Sequence, residues 1–452
     1  MGKLEDSATL RPSEHLPLLA KAAPSASYLS QQEVAEQGSA APWPGLRKAL
    51  VSLLGGLFAC MLLLAVALLL SLPRPHPPLG WWQKATFYHL PLSSFPDSDG
   101  DGWGDLAGVR EQLDQLAMLP IQALVLGPIL EGGGANLTQI DPAHGSLAQL
   151  QALVTEGRKR GIRILLELPP WGEEGDASAE SNHTAQLLQE TLQFWQSKGV
   201  RGFLVAKEPA WCLLTVLKAW GALDGRRQSE PQDEEERALI VWDRSEACGA
   251  SAGMPSRVIL TCYLPGTQRN LSAQALLQLA HGPLHLPGSP WPSWAVPRGA
   301  GGSWGEVLGV LLFTLPGVPL LQGGPRSPFL LDVKLMEGKP SRARLEDLYR
   351  SLLELHATSF PLRDTDFALL PLPSHAGDLV AFLRPGACSS LLVTLNLGPK
   401  PVQLSLKELG FPGQAKVVLN THDKPQKEAA VETVSLAPQQ ALLLRVPRGY
   451  QP

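Results

Sequence analysis

The longest uninterrupted apolar run is Ala49–Leu72, ALVSLLGGLFACMLLLAVALLLSL, with no charge and no proline. Twenty-odd residues at about 1.5 Å rise each cover the roughly 30 Å hydrocarbon core of a bilayer. The pattern therefore predicts one uncleaved transmembrane helix, flanked by Arg47 and Lys48 before and by Pro73, Arg74, Pro75, His76, Pro77 and Pro78 after. A buried core helix is rarely so long and uniformly apolar, and a signal peptide starts nearer the N-terminus with a shorter apolar region.

Beyond the prolines, short apolar runs alternate with amphipathic ones. Strands are predicted at Ala85–Leu90, Ala123–Leu130, Ile162–Leu168, Gly202–Ala206, Ala238–Trp242, Arg257–Leu264, Trp291–Val296 and Pro319–Leu321. Helices are predicted at Leu106–Leu119, Ser146–Gly161, Glu180–Gly199, Ala210–Gly221, Leu271–His281, Gly305–Leu315 and Ser341–Thr358. Strands alternating with helices argue for βα units and a parallel sheet, and the count of about eight units matches a (β/α)₈ barrel. From Phe360 the pattern changes to Asp378–Leu383, Ser389–Leu397, Pro401–Leu406, Ala415–Asn420 and Ala441–Val446, short apolar runs with no strong helix between. That is a small antiparallel β domain. The expected organisation is α/β: a disordered tail over 1–48, the span over 49–72, a neck over 73–80, the barrel over 81–360 and the β domain over 361–452.

Composition narrows the function. A net charge of −4 and a pI near 6.2 exclude a nucleic-acid profile. The cysteines, Cys60, Cys212, Cys248, Cys262 and Cys388, are too sparse for a disulfide scaffold, although one or two bridges are compatible with them. The tail is rich in Ser, Ala, Pro, Gln and Glu; its Glu14–Leu19 stretch, EHLPLL, matches an acidic dileucine sorting pattern that also arises by chance. Sequons occur at Asn136, Asn182 and Asn270, all after the span and none before it. With the basic pair Arg47/Lys48 they predict a type II glycoprotein of the plasma membrane, its N-terminus cytosolic and its bulk extracellular.

Two local features bear on chemistry. In the span, Ser52, Gly55, Gly56 and Ala59 fall at three- and four-residue spacing. Small residues on one face let a second helix approach, though such residues are also common in membrane helices. In the barrel, Asp97-Ser-Asp99-Gly-Asp101-Gly-Trp103-Gly-Asp105 sets four carboxylates in a Gly-rich turn. A calcium site needs six to eight oxygen ligands, which such a loop can gather; an acidic surface turn is the plainer alternative. It is not an EF-hand, because the twelfth position falls on Gly108.

FPDSDGDGWGDLAGV (Phe95–Val109), VRGFLVA (Val200–Ala206) and TLPGVPLLQGG (Thr314–Gly324) resemble motifs of the α-amylase family. GWWQKATFYHL (Gly80–Leu90), QALVLGPI (Gln122–Ile129), TQIDPAHGS (Thr138–Ser146) and LQFW (Leu192–Trp195) resemble more narrowly the heavy chains of the 4F2 antigen type. Those are single-span heavy subunits of heteromeric amino acid transporters. The resemblance covers the span and nearly all of the body, and includes a short link from Leu130 to Gln139 where the family's enzymes carry a subdomain.

The resemblance implies an α-amylase-like barrel, a loop calcium held by Asp97, Asp99, Asp101, the Trp103 carbonyl and Asp105, and a multi-span light subunit as partner. It also exposes departures. The family's enzymes have Gly-Phe-Arg-x-Asp after the fourth strand, with Asp as nucleophile. Here Leu204 replaces the Arg and Ala206 replaces the Asp. Asp243 stands where the general acid, usually Glu, is expected, and Glu167-Leu-Pro-Pro-Trp171 lacks the sugar-binding Asn-His pair. Glu208 lies two residues beyond the nucleophile position, too far to keep attack geometry. The sequence thus predicts a barrel without glycosidase activity. The light-chain disulfide usual in this group needs a Cys just outside the membrane. None lies between Pro73 and Trp81, and Cys60 is mid-span. Association is expected to rest on the small-residue face. The competing readings are an adhesion or receptor ectodomain without a transporter, and a membrane-anchored α-glucosidase.

Overall fold

The computed structural model describes residues 30–40, 42–71, 79–131, 137–169, 182–208, 210–227, 236–244, 254–255, 257–265, 289–297, 300, 302–324, 340–364, 366–372, 378–386, 388–407, 409–411, 415–422 and 430–447. The chain divides into two units, Met1–Pro78 and Leu79–Pro452.

In the first unit, the apolar run lies in a helix from Trp43 to Ser71. It starts earlier than the hydrophobic run alone indicates. Pro44 sits in its first turn, where a missing N–H costs nothing. It is the one helix among the described residues long and apolar enough to cross a membrane. Part of the stretch expected to be disordered is also helical, from Gln31 to Ser39. A capping box explains its start: Ser30 Oγ accepts from Glu33 N–H at 3.3 Å, and the Glu33 carboxylate accepts from Ser30 N–H at 2.8 Å.

In the second unit, eight parallel strands close a barrel in chain order. They are β1 (Phe87–Leu90), β2 (Ala123–Leu126), β3 (Arg163–Glu167), β4 (Gly202–Ala206), β5 (Ala238–Asp243), β6 (Ile259–Tyr263), β7 (Trp291–Ala295) and β8 (Val318–Gln322). β8 pairs back onto β1, with Phe87 opposite Leu320. The strands are nearly continuous hydrophobic runs because both faces are buried. One set of side chains fills the interior, including Phe87, Val125, Leu165, Leu204, Ile240, Trp242 and Leu320. Trp82, on the 3₁₀ turn Trp81–Gln83, joins that cluster from the N-terminal end of the barrel. The alternate set packs outward against the helices.

The sequence expects one helix over Leu106–Leu119. The structure has two, Leu106–Glu111 and Leu113–Ala117, broken at Gln112. Gln112 N–H is shared between the carbonyls of Gly108 and Val109, a tightened turn. The second strand ends at Leu126, short of Leu130, which instead bridges Ile140. The helix expected at Leu271–His281 lies outside the described residues.

The C-terminal strands are all antiparallel: β9 (Ala368–Leu369), β10 (Leu379–Arg384), β11 (Ser389–Asn396), β12 (Val402–Ser405), β13 (Ala415–Asn420), β14 (Ala430–Val431), β15 (Thr433–Leu436) and β16 (Gln440–Pro447). Six form a sheet in the order β14-β13-β16-β11-β10-β9, and β12 pairs with β15. Alternation along β11 and β16 serves two cores. Val393, Leu395 and Leu443 join the barrel's outer core, whereas Leu392, Leu442 and Leu444 pack with Leu404, Val434 and Leu436 of the small sheet. The buried Arg384 ties the connection down by donating to the carbonyls of Pro361 and Leu362 at 3.0 and 3.3 Å.

Candidate functional site

Catalytic groups of (β/α)₈ enzymes sit at the C-terminal ends of the strands. Here that end carries a row of buried polar residues: His89 next to the end of β1, Glu167 closing β3, Asp243 closing β5 and Gln322 closing β8. The two carboxylates among them are paired, and Gln322 donates to the Val296 carbonyl at 3.1 Å. His89 Nε2 lies 2.7 Å from Glu167 Oε2, and Arg244 Nη2 donates to Glu167 Oε1 at 3.2 Å. Lys207 Nζ donates to Asp243 Oδ2 at 2.6 Å. Each carboxylate thus has a cationic or imidazole partner, the condition under which a buried charge is tolerated.

Ala206 ends β4 and stands in register with Trp242 on β5. The indole of Trp242 is only 2% exposed and belongs to the barrel interior. His89 meets it edge-on at 5.0 Å between ring centroids, Tyr263 lies at 5.8 Å, and the Arg244 guanidinium rides over it at 5.1 Å. The C-terminal end of the barrel therefore combines paired charges with a buried indole. Glu208 is exposed, two residues past Ala206.

Of these groups, the sequence singled out Ala206 and Asp243, and named Glu167 only within the segment that lacks the Asn-His pair. It did not point to His89, Lys207 or Arg244 as their partners. The available signal was a polar residue at or next to the end of an otherwise apolar run, repeated at His89, Glu167 and Asp243.

The acidic loop precedes the helix Leu106–Glu111. Carboxylate oxygens of Asp97, Asp99 and Asp105 lie within 4.8 Å of one another. Asp101 stands apart from that group and accepts from Trp103 N–H at 2.7 Å, while the Trp103 ring is exposed, edge-on to His144 at 6.4 Å. Asp97 accepts from the N–H groups of Gly102 and Gly100 at 2.9 and 2.6 Å, which holds its carboxyl below the usual range. Burial pushes the Asp105 carboxyl up, but N–H donation from Gly108 and Ser98 outweighs it and the net shift is downward. Both stay ionised near neutrality, and an all-oxygen donor set of this kind suits a hard divalent cation.

On the apolar helix, Ser52, Gly55, Gly56 and Ala59 are exposed, and a Cβ added at either glycine would meet nothing within 4 Å. Asn182 opens the helix Asn182–Ser197. Asn136 and Asn270 lie outside the described residues, as does Cys248. Cys262, on β6, is disulfide-bonded, whereas Cys60 and Cys388 are free.

The barrel and the small β domain define the class. Residues 90–170 match the α-amylase catalytic domain, and the trehalose-6-phosphate hydrolase of Bacillus licheniformis superposes with a TM-score of 0.61 at 16% identity, covering 82% of this chain and 100% of that one. This is an α-amylase fold. Over nearly its full length the chain is similar to the amino acid transporter heavy chain SLC3A2. It is 26% identical to that of Oryctolagus cuniculus over 95% of this chain and 89% of the relative, and 25% identical to that of Mus musculus over 93% and 89%.

Proposed function

We propose that this chain is the non-catalytic heavy subunit of a heteromeric amino acid transporter, escorting and stabilising a multi-span light subunit at the plasma membrane. The observation that carries the reading is the similarity to transporter heavy chains along 95% of the sequence, span included. The barrel mouth supports it. Hydrolysis on this fold uses one carboxylate as nucleophile and another as acid/base. Ala206 offers no attacking group, Asp243 is engaged by Lys207, and Glu167 is shared by His89 and Arg244. An isolated acid without a nucleophile performs no retaining chemistry.

The topology that goes with this role is single-pass type II, with the three sequons glycosylated outside the cell. Partner and heavy chain hold together without the neck disulfide, because 73–80 contains no cysteine. The span contributes the face of Ser52, Gly55, Gly56 and Ala59 to a light-subunit helix. Asp97, Asp99 and Asp105 hold a structural calcium ion, with Asp101 and the Trp103 carbonyl completing the loop. Calcium supplies the counter-charge for three clustered carboxylates, so a chelator lowers the melting temperature of the full chain; identical melting in calcium and in chelator refutes this site.

Co-purification from membranes in mild detergent, with and without reductant, tests the partnership. The expected result is a multi-span transporter recovered equally under both conditions. A high-mass band lost on reduction contradicts the non-covalent link, and recovery of no transporter contradicts the function.

A further inference from the structure

Three elements of the second unit meet around one buried carboxylate: the helix Gly302–Thr314, the helix Pro340–Thr358 and the chain leaving β13. Glu306 is the one charged residue of the apolar helix Gly302–Thr314, and it is only 8% exposed. Arg344, on the second helix and half exposed, lies with Nε 3.3 Å from Glu306 Oε1. The same guanidinium donates through Nη2 to the Thr421 carbonyl oxygen, just past the end of β13. Thr421 is in turn fixed to β16: its N–H donates to the Ala441 carbonyl at 3.1 Å, and Ala441 N–H donates to Thr421 Oγ1 at 3.0 Å. One arginine thus bridges a barrel helix and the C-terminal sheet. His422 follows directly, with Nδ1 3.5 Å from Thr421 Oγ1 and its backbone N–H donating to Asn420 Oδ1 at 3.0 Å. β16 brings the apolar Ala441 and Leu443 to the shared core. Among the described residues, the charges acting on Glu306 are those of Arg344 and His422.

We propose that Glu306, Arg344 and His422 form an acid-sensitive latch between the barrel and the C-terminal sheet, closed near neutrality and released in mild acid. Both titrations push the same way. Burial raises the Glu306 carboxyl above its ordinary value, against the pull of Arg344 and then His422. Because Arg344 favours the ionised carboxyl, protonating that carboxyl weakens the hold on Arg344 by the same free energy. An imidazole gains its charge in mild acid. A charged His422 stands one peptide from the carbonyl that receives Arg344, so it repels the guanidinium and competes with it for Glu306. As pH falls, the folded chain takes up the Glu306 proton before the unfolded chain does, so this group favours the folded state in acid. Release therefore loosens the junction without unfolding the barrel.

The test is amide hydrogen exchange of the full chain in detergent micelles at about pH 7.5 and about pH 5.0, corrected for the intrinsic pH dependence of exchange. Peptides covering 415–422 report the latch, and β1, β2 and β3 serve as the internal reference. The expected result is a rise of about threefold or more in corrected exchange at 415–422 in acid, with the reference strands unchanged. Glu306→Gln keeps the shape and cannot ionise, so its exchange at 415–422 is already raised near neutrality and its response to acid is reduced. His422→Gln, at a partly exposed position, reduces the response independently. The proposal is overturned if wild-type exchange at 415–422 does not change with pH, if the reference strands rise in parallel, or if the response is as large in both variants as in wild type.

Discussion

Ala206 and Trp242 occupy the same rung of the β4–β5 ladder, a methyl group beside an indole that is almost wholly buried. The pairing sets two features side by side: the strand ends on a side chain without a carboxylate, and its neighbour is an indole packed into the barrel interior. Restoring a carboxylate leaves the indole in place. The full chain carrying Ala206→Asp is expected to release no product from an aryl α-glucoside. It should also lose roughly 1–3 kcal/mol of stability by placing a carboxylate beside the buried indole. Turnover above the wild-type background contradicts this account of the barrel.

Glu167 is the hub of the remaining polar groups, since both of its oxygens are engaged, one by His89 and the other by Arg244. Glu167→Gln keeps the shape and removes the charge. A loss of roughly 2 kcal/mol is expected in denaturant melts, below the cost of fully orphaning a buried charge because Arg244 is more than half exposed. A neutral outcome would show that the cluster contributes nothing to the fold.

His356 sits under the C-terminal sheet, 2% exposed and 6.0 Å from the Phe313 ring. Burial first, then the charges of Arg384 and Arg363, depress its pKa to about 3. The unfolded chain takes up this proton below about pH 6.5 while the folded chain does not. Stability contributed by the neutral imidazole is therefore full above pH 6.5 and is lost progressively toward pH 3, by about 2 kcal/mol at pH 5. His356→Gln should flatten the pH dependence of Tm between pH 6.5 and 4; an unchanged slope refutes the assignment.

Gly309 lies in the buried helix Gly302–Thr314 against Tyr349, whose ring would stand 2.7 Å from an added Cβ. Gly to Ala inside a helix ordinarily gains up to about 1 kcal/mol. Here overpacking wins, because the ring is fully buried with its hydroxyl 3.3 Å from the Gly305 carbonyl. Gly309→Ala is expected to cost roughly 1–3 kcal/mol by thermal melt.

Much of the architecture was legible because the barrel strands are apolar on both faces, and runs such as Gly202–Ala206 and Trp291–Val296 stand out without periodicity. Helix ends were less legible. The break at Gln112 depends on hydrogen bonds shared between two carbonyls, which no residue type announces. Ser30 and Glu33 did carry a capping signal, but the polar composition around them masked it. At the barrel mouth, sequence reported an alanine at 206, where the resemblance leads one to expect a carboxylate. It could not report that His89, Glu167 and Arg244 converge, because 155 positions separate the outer two and only the closed barrel unites them.

The central claim is that the chain works through a transporter partner held in part by its span. The direct measurement is affinity purification of the full chain from native membranes in mild detergent, with quantitative identification of what accompanies it. The account predicts one multi-span amino acid transporter at near-equal stoichiometry, reduced several-fold in Gly56→Leu while the melting of the barrel is unchanged. Purification of the intact protein with no polytopic partner, or with a partner indifferent to the span, contradicts it.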